Sequence, residues 1–402
     1  MEIEKMVLKD NLCAGCGLCE SVFETKKISI SFDDKGFLRP TFHDKLSLKE
    51  QDRFKNICPG IKAEHPNIDH YSTLWGPYLH MTSGFAKNPE VRYSGSSGGV
   101  LTALGSYLLD SKKVECLLHI GASEELPYLN EPKISYSSNE VQKNTGSRYA
   151  PSATLQQIKR AIENHNSIGI IGKPCDILGV RNYMKVDEVA NKKIKYLLSF
   201  MCAGVPSQKG TDHIINNFKL KKENVVSLKY RGEGWPGYFK IVDKEDRTHK
   251  ITYNESWGTV LNRYLQFRCK ICADGTGEFA DITCADAWES SENGYPSFEE
   301  KEGKSLIIIR NKNGAELIEQ AQSANYLVVE DKIITEEQLG KMQPYQKSRK
   351  QNILSRILAL YLFKKSVPIY NKNLLLKAAF KENPIYLFKN FLGMINRLWR
   401  LK

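Results

Sequence analysis

The chain has 402 residues, 41% hydrophobic and 26% charged, an ordinary composition for a folded protein with room for two or three domains. No stretch reaches membrane-spanning length, and the start MEIEKMVLKDN lacks the apolar core of a secretion signal; with ten cysteines this predicts a reducing cytoplasm, where thiols serve metals rather than disulfides. The net charge of +12 is confined to one region: residues 345–402 carry 13 Lys/Arg against one acidic residue, Glu382, so residues 1–344 are neutral overall.

In chain order the first signal is the run CAGCGLC, with Cys13, Cys16 and Cys19, followed much later by Cys58-Pro59. Three thiols from one tight loop plus a distant fourth before proline is how a chain wraps a 4Fe-4S cluster. Ferredoxins use the unit C-x2-C-x2-C-x3-C-P twice, each fourth cysteine serving the other unit's cluster. Here Phe23 stands where the first unit would place its fourth cysteine, and Leu48, Gln51 and Phe54 replace three thiols of the second. Three ligands from one half and one from the other make one cluster. Residues 1–66 therefore read as a ferredoxin-like module. A zinc knuckle rarely takes three cysteines within seven residues.

Residues 67–344 change to alternating strand and helix signals, which predict an α/β core. Strands are expected at 78–86 and 114–121, with a helix from Gly98 to Leu109 between them. A helix from Ser152 to Asn164, capped by its serine, precedes the apolar runs Ser167–Gly172 and Ile194–Met201. Residues 224–253 read as an antiparallel set, Ser305–Asn311 as a late strand, and Ala315–Ala324 as a helix. The fold class is α/β at the core and α+β overall.

Cys175 in GKPCD and Cys202 in SFMCAG each follow an expected strand, and open α/β sheets place ligands beyond the carboxyl ends of their strands. With the loop pair Cys269-x2-Cys272 they make a second four-thiol set; Cys284 is an alternative ligand and Cys116 reads as core. Ser94-Gly95-Ser96-Ser97-Gly98-Gly99 before a helix suits a phosphate, since small residues admit an anion to exposed N–H groups. Gly146, Ser147, Arg148, Tyr149 and Lys173 add the cations and hydroxyls that a diphosphate needs. No GxGxxG joins a strand to a helix, which argues against a Rossmann nicotinamide site.

Residues 345–402 read as a basic, amphipathic helical tail. Leu354, Ile357, Leu358, Tyr361 and Leu362 form one helical stripe; Phe388, Phe391, Leu392, Ile395 and Trp399 form another, with Lys389, Arg397 and Arg400 pointing away. Such a helix can lie peripherally at the inner face of a membrane. The alternative is a helix pair docked on the body. No nucleic-acid-binding motif accompanies the charge.

The stretches SGSSGGVLTALGSYLL, GSRYAPSATL, GKPCDILGVR, MCAGVPS and RCKICADGTGEFADITCADAW, in this order, resemble the family of coenzyme F-420 hydrogenase/dehydrogenase beta subunits, which includes 7-hydroxymethyl chlorophyll a reductase. The resemblance runs from Cys13 to about Asn311 and implies an α/β core binding FAD beside a 4Fe-4S cluster. It implies that Ser96, Ser97, Gly98 and Gly99 cradle the flavin diphosphate. Gly146, Ser147, Arg148, Tyr149 and Lys173 would lie along the flavin or its substrate, with Tyr149, Lys173 and Asp176 the candidates for proton delivery. Many relatives have an apolar residue at Cys284, which keeps a ligand swap open. The expected protein is thus an oxidoreductase with two 4Fe-4S clusters and FAD, passing electrons from ferredoxin or a similar one-electron carrier to a small-molecule or lipid-linked substrate. One alternative is an electron-transfer subunit of a hydrogenase or formate dehydrogenase exchanging hydride with the deazaflavin F-420. The other is a non-enzymatic zinc module.

Overall fold

Four parallel strands, Cys116–Ala122, Ile168–Gly172, Ile194–Phe200 and Ile282–Asp286, form the centre of an eight-stranded mixed sheet. The sheet runs in the order 327–329, 80–86, 305–309, 282–286, 194–200, 168–172, 116–122, 130–135, with the outer pairings antiparallel. The computed structural model describes residues 2–65, 71–289 and 299–400. The runs IGIIG and SLIII can pair here because strands covered on both faces need apolar side chains on both. Helix Val100–Asp110 covers one face, with Leu104 and Leu108 against Leu117, Leu198 and Ile307. A three-stranded antiparallel sheet, Val225–Lys229, Tyr238–Asp243 and Thr248–Thr252, stands apart as the sequence predicts.

The N-terminal residues fold as a helix, Leu18–Phe23, a hairpin of Ile28–Phe32 with Leu38–Phe42, and the helix Leu48–Ile57. The last is started by a capping box of Ser47 with Glu50 and ends at Cys58. Phe54 lies 5.8 Å from the Phe23 ring and 5.9 Å from Phe42. This aromatic cluster occupies the half in which a two-cluster ferredoxin would hold its second cluster. The module shares one apolar core with the sheet, through Phe54, Ile57, Ile177, Leu178 and Ile353.

The tail forms three helices, Pro344–Leu362, Lys372–Ala379 and Pro384–Trp399. The long helix Pro344–Leu362 is built into the body, as the docked alternative anticipates. Gln346, Arg349, Lys350, Gln351 and Asn352 are all buried, so several of the tail's polar and cationic groups face protein instead of solvent. Residues 152–164 also differ from expectation. Thr154–Gln157 form a tight 3-10 turn before helix Ile158–Asn164, and the Ser152 hydroxyl accepts from Lys173 instead of capping.

Candidate functional site: two thiol sets and a glycine-lined rim

Gly15 and Gly17, at φ +70° and +84°, let CAGCGLC fold back on itself in a conformation that L side chains rarely adopt. Cys13, Cys16, Cys19 and Cys58 then line one cavity of about 390 Å³, walled by Leu18, Ile30, Pro40, Phe54 and Ile57. The Gly15 N–H donates to Cys13 Sγ at 3.3 Å. Burial and the neighbouring thiols push Cys16 and Cys19 well above the ordinary thiol range and Cys58 up to about 12. Thiols raised like Cys16, Cys19 and Cys58 ionise only against positive charge, which iron would provide; this set suits a cluster.

The second set gathers where two parallel strands end. Cys175 opens helix Pro174–Met184, whose N-terminal dipole favours a thiolate. Cys202 follows strand Ile194–Phe200, and its N–H donates to Gly275 O at 2.8 Å, fastening it to the loop that carries Cys269 and Cys272. The Val205 N–H donates to Cys269 Sγ at 3.3 Å. Burial pushes Cys175 and Cys272 up and Cys202 to about 12, with neighbouring thiols adding to each. Two guanidiniums oppose this. Arg268 is buried, donating to Pro59 O and to Tyr370 Oη at 3.2 and 3.0 Å. Arg349 comes from the tail: a Cβ on Gly275 would fall 1.1 Å from its Nη2, so the guanidinium fills the space a side chain at 275 would take. Gln346 donates to Cys202 O at 3.2 Å, and Tyr370 to Ile271 O at 2.6 Å. The tail thus closes over the inner thiols. Beside them a cavity of about 460 Å³ reaches from Cys175 and Cys272 to His65, Tyr71 and Lys350.

Among the described residues no three His, Cys, Asp or Glu side chains converge where a single metal ion could sit.

Helix Pro174–Met184 touches both sets: its first turn carries Cys175, and its middle packs on the outer loop. A Cβ on Gly179 would come 3.3 Å from Leu18 and 3.4 Å from Pro59, so the helix packs directly on the outer loop. The Leu155 N–H donates to Cys16 O at 2.9 Å, and Thr154 Oγ1 to Asp176 Oδ2 at 2.8 Å, a hydrogen-bonded bridge from Cys16 to the neighbour of Cys175.

The third feature sits on the same sheet rim. Gly98 donates its N–H to Ser305 Oγ at 2.9 Å; a Cβ there would meet Ser305 N and Gly84 O at 2.7 and 2.8 Å. The Gly146 Cβ position lies 2.9 Å from Arg231 O and 3.9 Å from Ser96 Oγ, and that of Gly232 lies 2.6 Å from Ser94 O. Three loops around Ser94–Gly99, Gly146–Tyr149 and Arg231–Gly237 therefore meet with backbones nearly bare. Ser96 Oγ is buried with no hydrogen-bond partner, as a hydroxyl awaiting an anion would be. These residues suit a flavin diphosphate. The wall beside them is aromatic: Trp235 stacks on Trp288 at 4.8 Å, and Tyr149 meets Trp257 at 4.9 Å. Arg231 forms a bidentate pair with Asp286 at 2.7 and 2.8 Å, and Trp235 Nε1 donates to the same carboxylate at 2.7 Å.

The structure revises several sequence expectations. Cys284 lies mid-strand between Phe200 and Ile307 in an apolar cluster with Val100 and Leu104; burial alone raises its thiol, so it belongs to the core and is no alternative ligand. Lys173 is buried, its ammonium spent on Ser152 O, Ser152 Oγ and Asp176 Oδ2 at 2.8–2.9 Å. Lys173 and Asp176 pair with each other between Cys16 and Cys175. Arg148 clamps Asn130 Oδ1, Leu228 O, Pro127 O and Leu129 O, which commits four of its five N–H donors to the protein. The Ser97 hydroxyl donates to backbone at Lys304 O and Ala285 O. Ser96, Gly98, Gly99, Gly146, Ser147 and Tyr149 remain with the rim. Sequence reasoning missed Arg268, Arg349, Arg231, Trp235 and Asp286. The glycine-rich, aromatic run YRGEGWPGY and an arginine directly before C-x2-C were the available signals for all but Arg349 and Asp286.

A mixed sheet whose strand ends carry a four-thiol set and a bare-backbone rim, with a second four-thiol set packed alongside, defines an oxidoreductase of the electron-transfer kind. The chain belongs to the family of coenzyme F-420 hydrogenase/dehydrogenase beta subunits: the model of the family's N-terminal part matches residues 81–159 and that of its C-terminal part residues 165–334. It is similar to a component of the F-420H2 dehydrogenase of Methanosarcina mazei, 22% identical over 78% of this chain and 88% of that one. It is also similar to the beta subunit of the coenzyme F-420 hydrogenase of Methanothermobacter thermautotrophicus, 26% identical over 71% and 95%. In fold it matches a chain of the F-420-reducing NiFe hydrogenase complex of Methanosarcina barkeri, with TM-score 0.57 and 19% identity over 73% of this chain and 96% of that one.

Proposed function

We propose that the chain converts between an electron pair, carried as hydride by an organic molecule at the rim, and single electrons carried through its thiol sets. Cys13, Cys16, Cys19 and Cys58 would hold an outer 4Fe-4S cluster, Cys175, Cys202, Cys269 and Cys272 an inner one, and the loops at Ser96, Gly98 and Gly146 an FAD. A flavin exchanges hydride on one side and single electrons on the other, which is the chemistry this arrangement calls for. The chain's own part is positional. Arg268 and Arg349 offset thiolate charge, helix Pro174–Met184 fixes the spacing of the two sets, and Arg231 locked to Asp286 holds the aromatic wall. The observation that carries the reading is that one helix, Pro174–Met184, carries Cys175 of one four-thiol set and packs on the loop of the other.

The relatives are components of F-420-linked enzymes, which favours a deazaflavin as the hydride partner and a larger complex as the setting. The sequence's first expectation was a self-contained reductase fed by ferredoxin and acting on a small or lipid-linked substrate. It draws support from the outer thiol set, which lies ahead of the matched residues and puts the whole electron route in one chain. Anaerobic mixing separates the two. Reduced F-420 that bleaches the reconstituted protein supports membership of an F-420-linked complex; bleaching by reduced ferredoxin alone supports the reductase. We also place the protein peripherally at the inner face of a membrane, held through the exposed part of the basic tail.

Two results are expected of the reconstituted protein. It should contain about eight iron atoms and one FAD per chain, measured by iron, sulfide and flavin assay; about four iron atoms would remove one cluster. Ser96→Ala should leave the fold intact and weaken FAD binding about 10- to 100-fold, the worth of one charge-assisted hydrogen bond, measured by titrating the flavin-stripped protein.

A further inference from the structure

The last helix, Pro384–Trp399, has two apolar faces. The inner one, Phe391, Met394, Ile395 and Leu398, packs on Leu12, Ile271, Ala359 and Leu360. The stripe read from the sequence splits here, because Phe388, Leu392 and Trp399 turn outward with Ile385. At 60%, 47%, 62% and 63% exposure these four make a ridge along the helix. Positions 385, 388, 392 and 399 repeat at helical spacing, and the exposed Lys389 and Arg400 run beside them, with Arg397 further round. No acidic residue lies between 384 and 402. The Trp399 ring sits 5.8 Å from Phe363, where the long helix exposes Tyr361 and Leu362. An apolar helix face is ordinarily covered.

We infer that this ridge docks on the headgroup region of an anionic lipid bilayer. Charge decides between lipid and protein as the occupant. Every charge on the helix is basic, the complement of a negatively charged leaflet. Aliphatic and aromatic side chains flanked by Lys/Arg are what an interfacial helix uses. Among the described residues no helix is long and apolar enough to cross a bilayer, so the contact is one of lying on the surface. The inference specifies the membrane placement proposed above, and its assay reads attachment without turnover, so it stands or falls apart from the redox reading.

The test is cosedimentation of the cluster-loaded full chain with phosphatidylcholine vesicles containing about 30% phosphatidylglycerol, and with pure phosphatidylcholine vesicles. Wild type should pellet with the first, release in high salt, and stay in solution with the second. Phe388→Glu with Trp399→Glu should lower binding at least about tenfold while keeping wild-type iron content, since both side chains project outward. Brominated anionic lipid should quench the fluorescence that Trp399→Phe removes. Failure of wild type to pellet, unchanged binding by the double variant, or absence of quenching overturns the inference. So does a double variant that only dissociates an oligomer, which would make the ridge a protein interface.

Discussion

Cys16→Ser is expected to halve the iron content to about four atoms per chain and to abolish reduction by a one-electron carrier, while chemically reduced flavin still reacts with the hydride acceptor. Cys16 is the middle thiol of the outer loop, and Leu155 ties its carbonyl to the segment that reaches Asp176. The loop is held by Phe54, Ile57 and Leu18, none of which the substitution touches, so the fold should persist with one set of thiols lost. Iron analysis and rapid-mixing absorbance check both halves of the expectation. Full carrier-linked turnover in the variant would place electron entry elsewhere.

Glu278→Ala should have the largest effect on stability. Its carboxylate is buried and binds Lys350, Tyr71 and, at 2.7 Å, His65 Nε2. Removing it strands the Lys350 ammonium inside the protein, a loss of about 3–5 kcal/mol in denaturant unfolding. Lys350 belongs to the helix that covers the inner thiols, so inner-set iron should fall as well. Burial alone would raise the Glu278 carboxyl, but Lys350 and His65 outweigh it and hold the group well below the usual carboxylate range. A depressed carboxyl stabilises fully above its unfolded value of about 4.3, and that stabilisation is lost as pH falls through the folded value. The gap between wild type and variant should therefore be constant near neutrality and close in acid. A variant within about 1 kcal/mol of wild type would show that the pair contributes little.

What the sequence disclosed followed the reach of its signals. The outer thiols were legible because all their geometry is local, in one loop and one proline-marked cysteine. The inner set was legible in parts, since strand ends at Gly172 and Phe200 could be read from apolar runs. Strand Ile282–Asp286 was not, because ITCAD is short and half polar; its place beside Ile194–Phe200 is what puts Cys284 in the core. Lys173 and Arg148 looked like ligands by residue type, yet both end up satisfied by carbonyls far off in sequence or across a turn. Arg349 and Lys350 carry no local mark distinguishing a buried cation from a solvated one. Only tertiary contact with Gly275 and Glu278 reveals it.

The position of the helix Pro344–Leu362 bears on how the protein is made. All eight cysteines proposed as ligands leave the ribosome before this helix does, and the outer four are complete by residue 58. Metal loading would then follow an order written in the chain: the amino-terminal set can mature early, whereas its partner stays open to solvent and oxygen until late synthesis delivers Arg349. A nascent chain stalled before residue 344 should be a half-matured, oxygen-sensitive species.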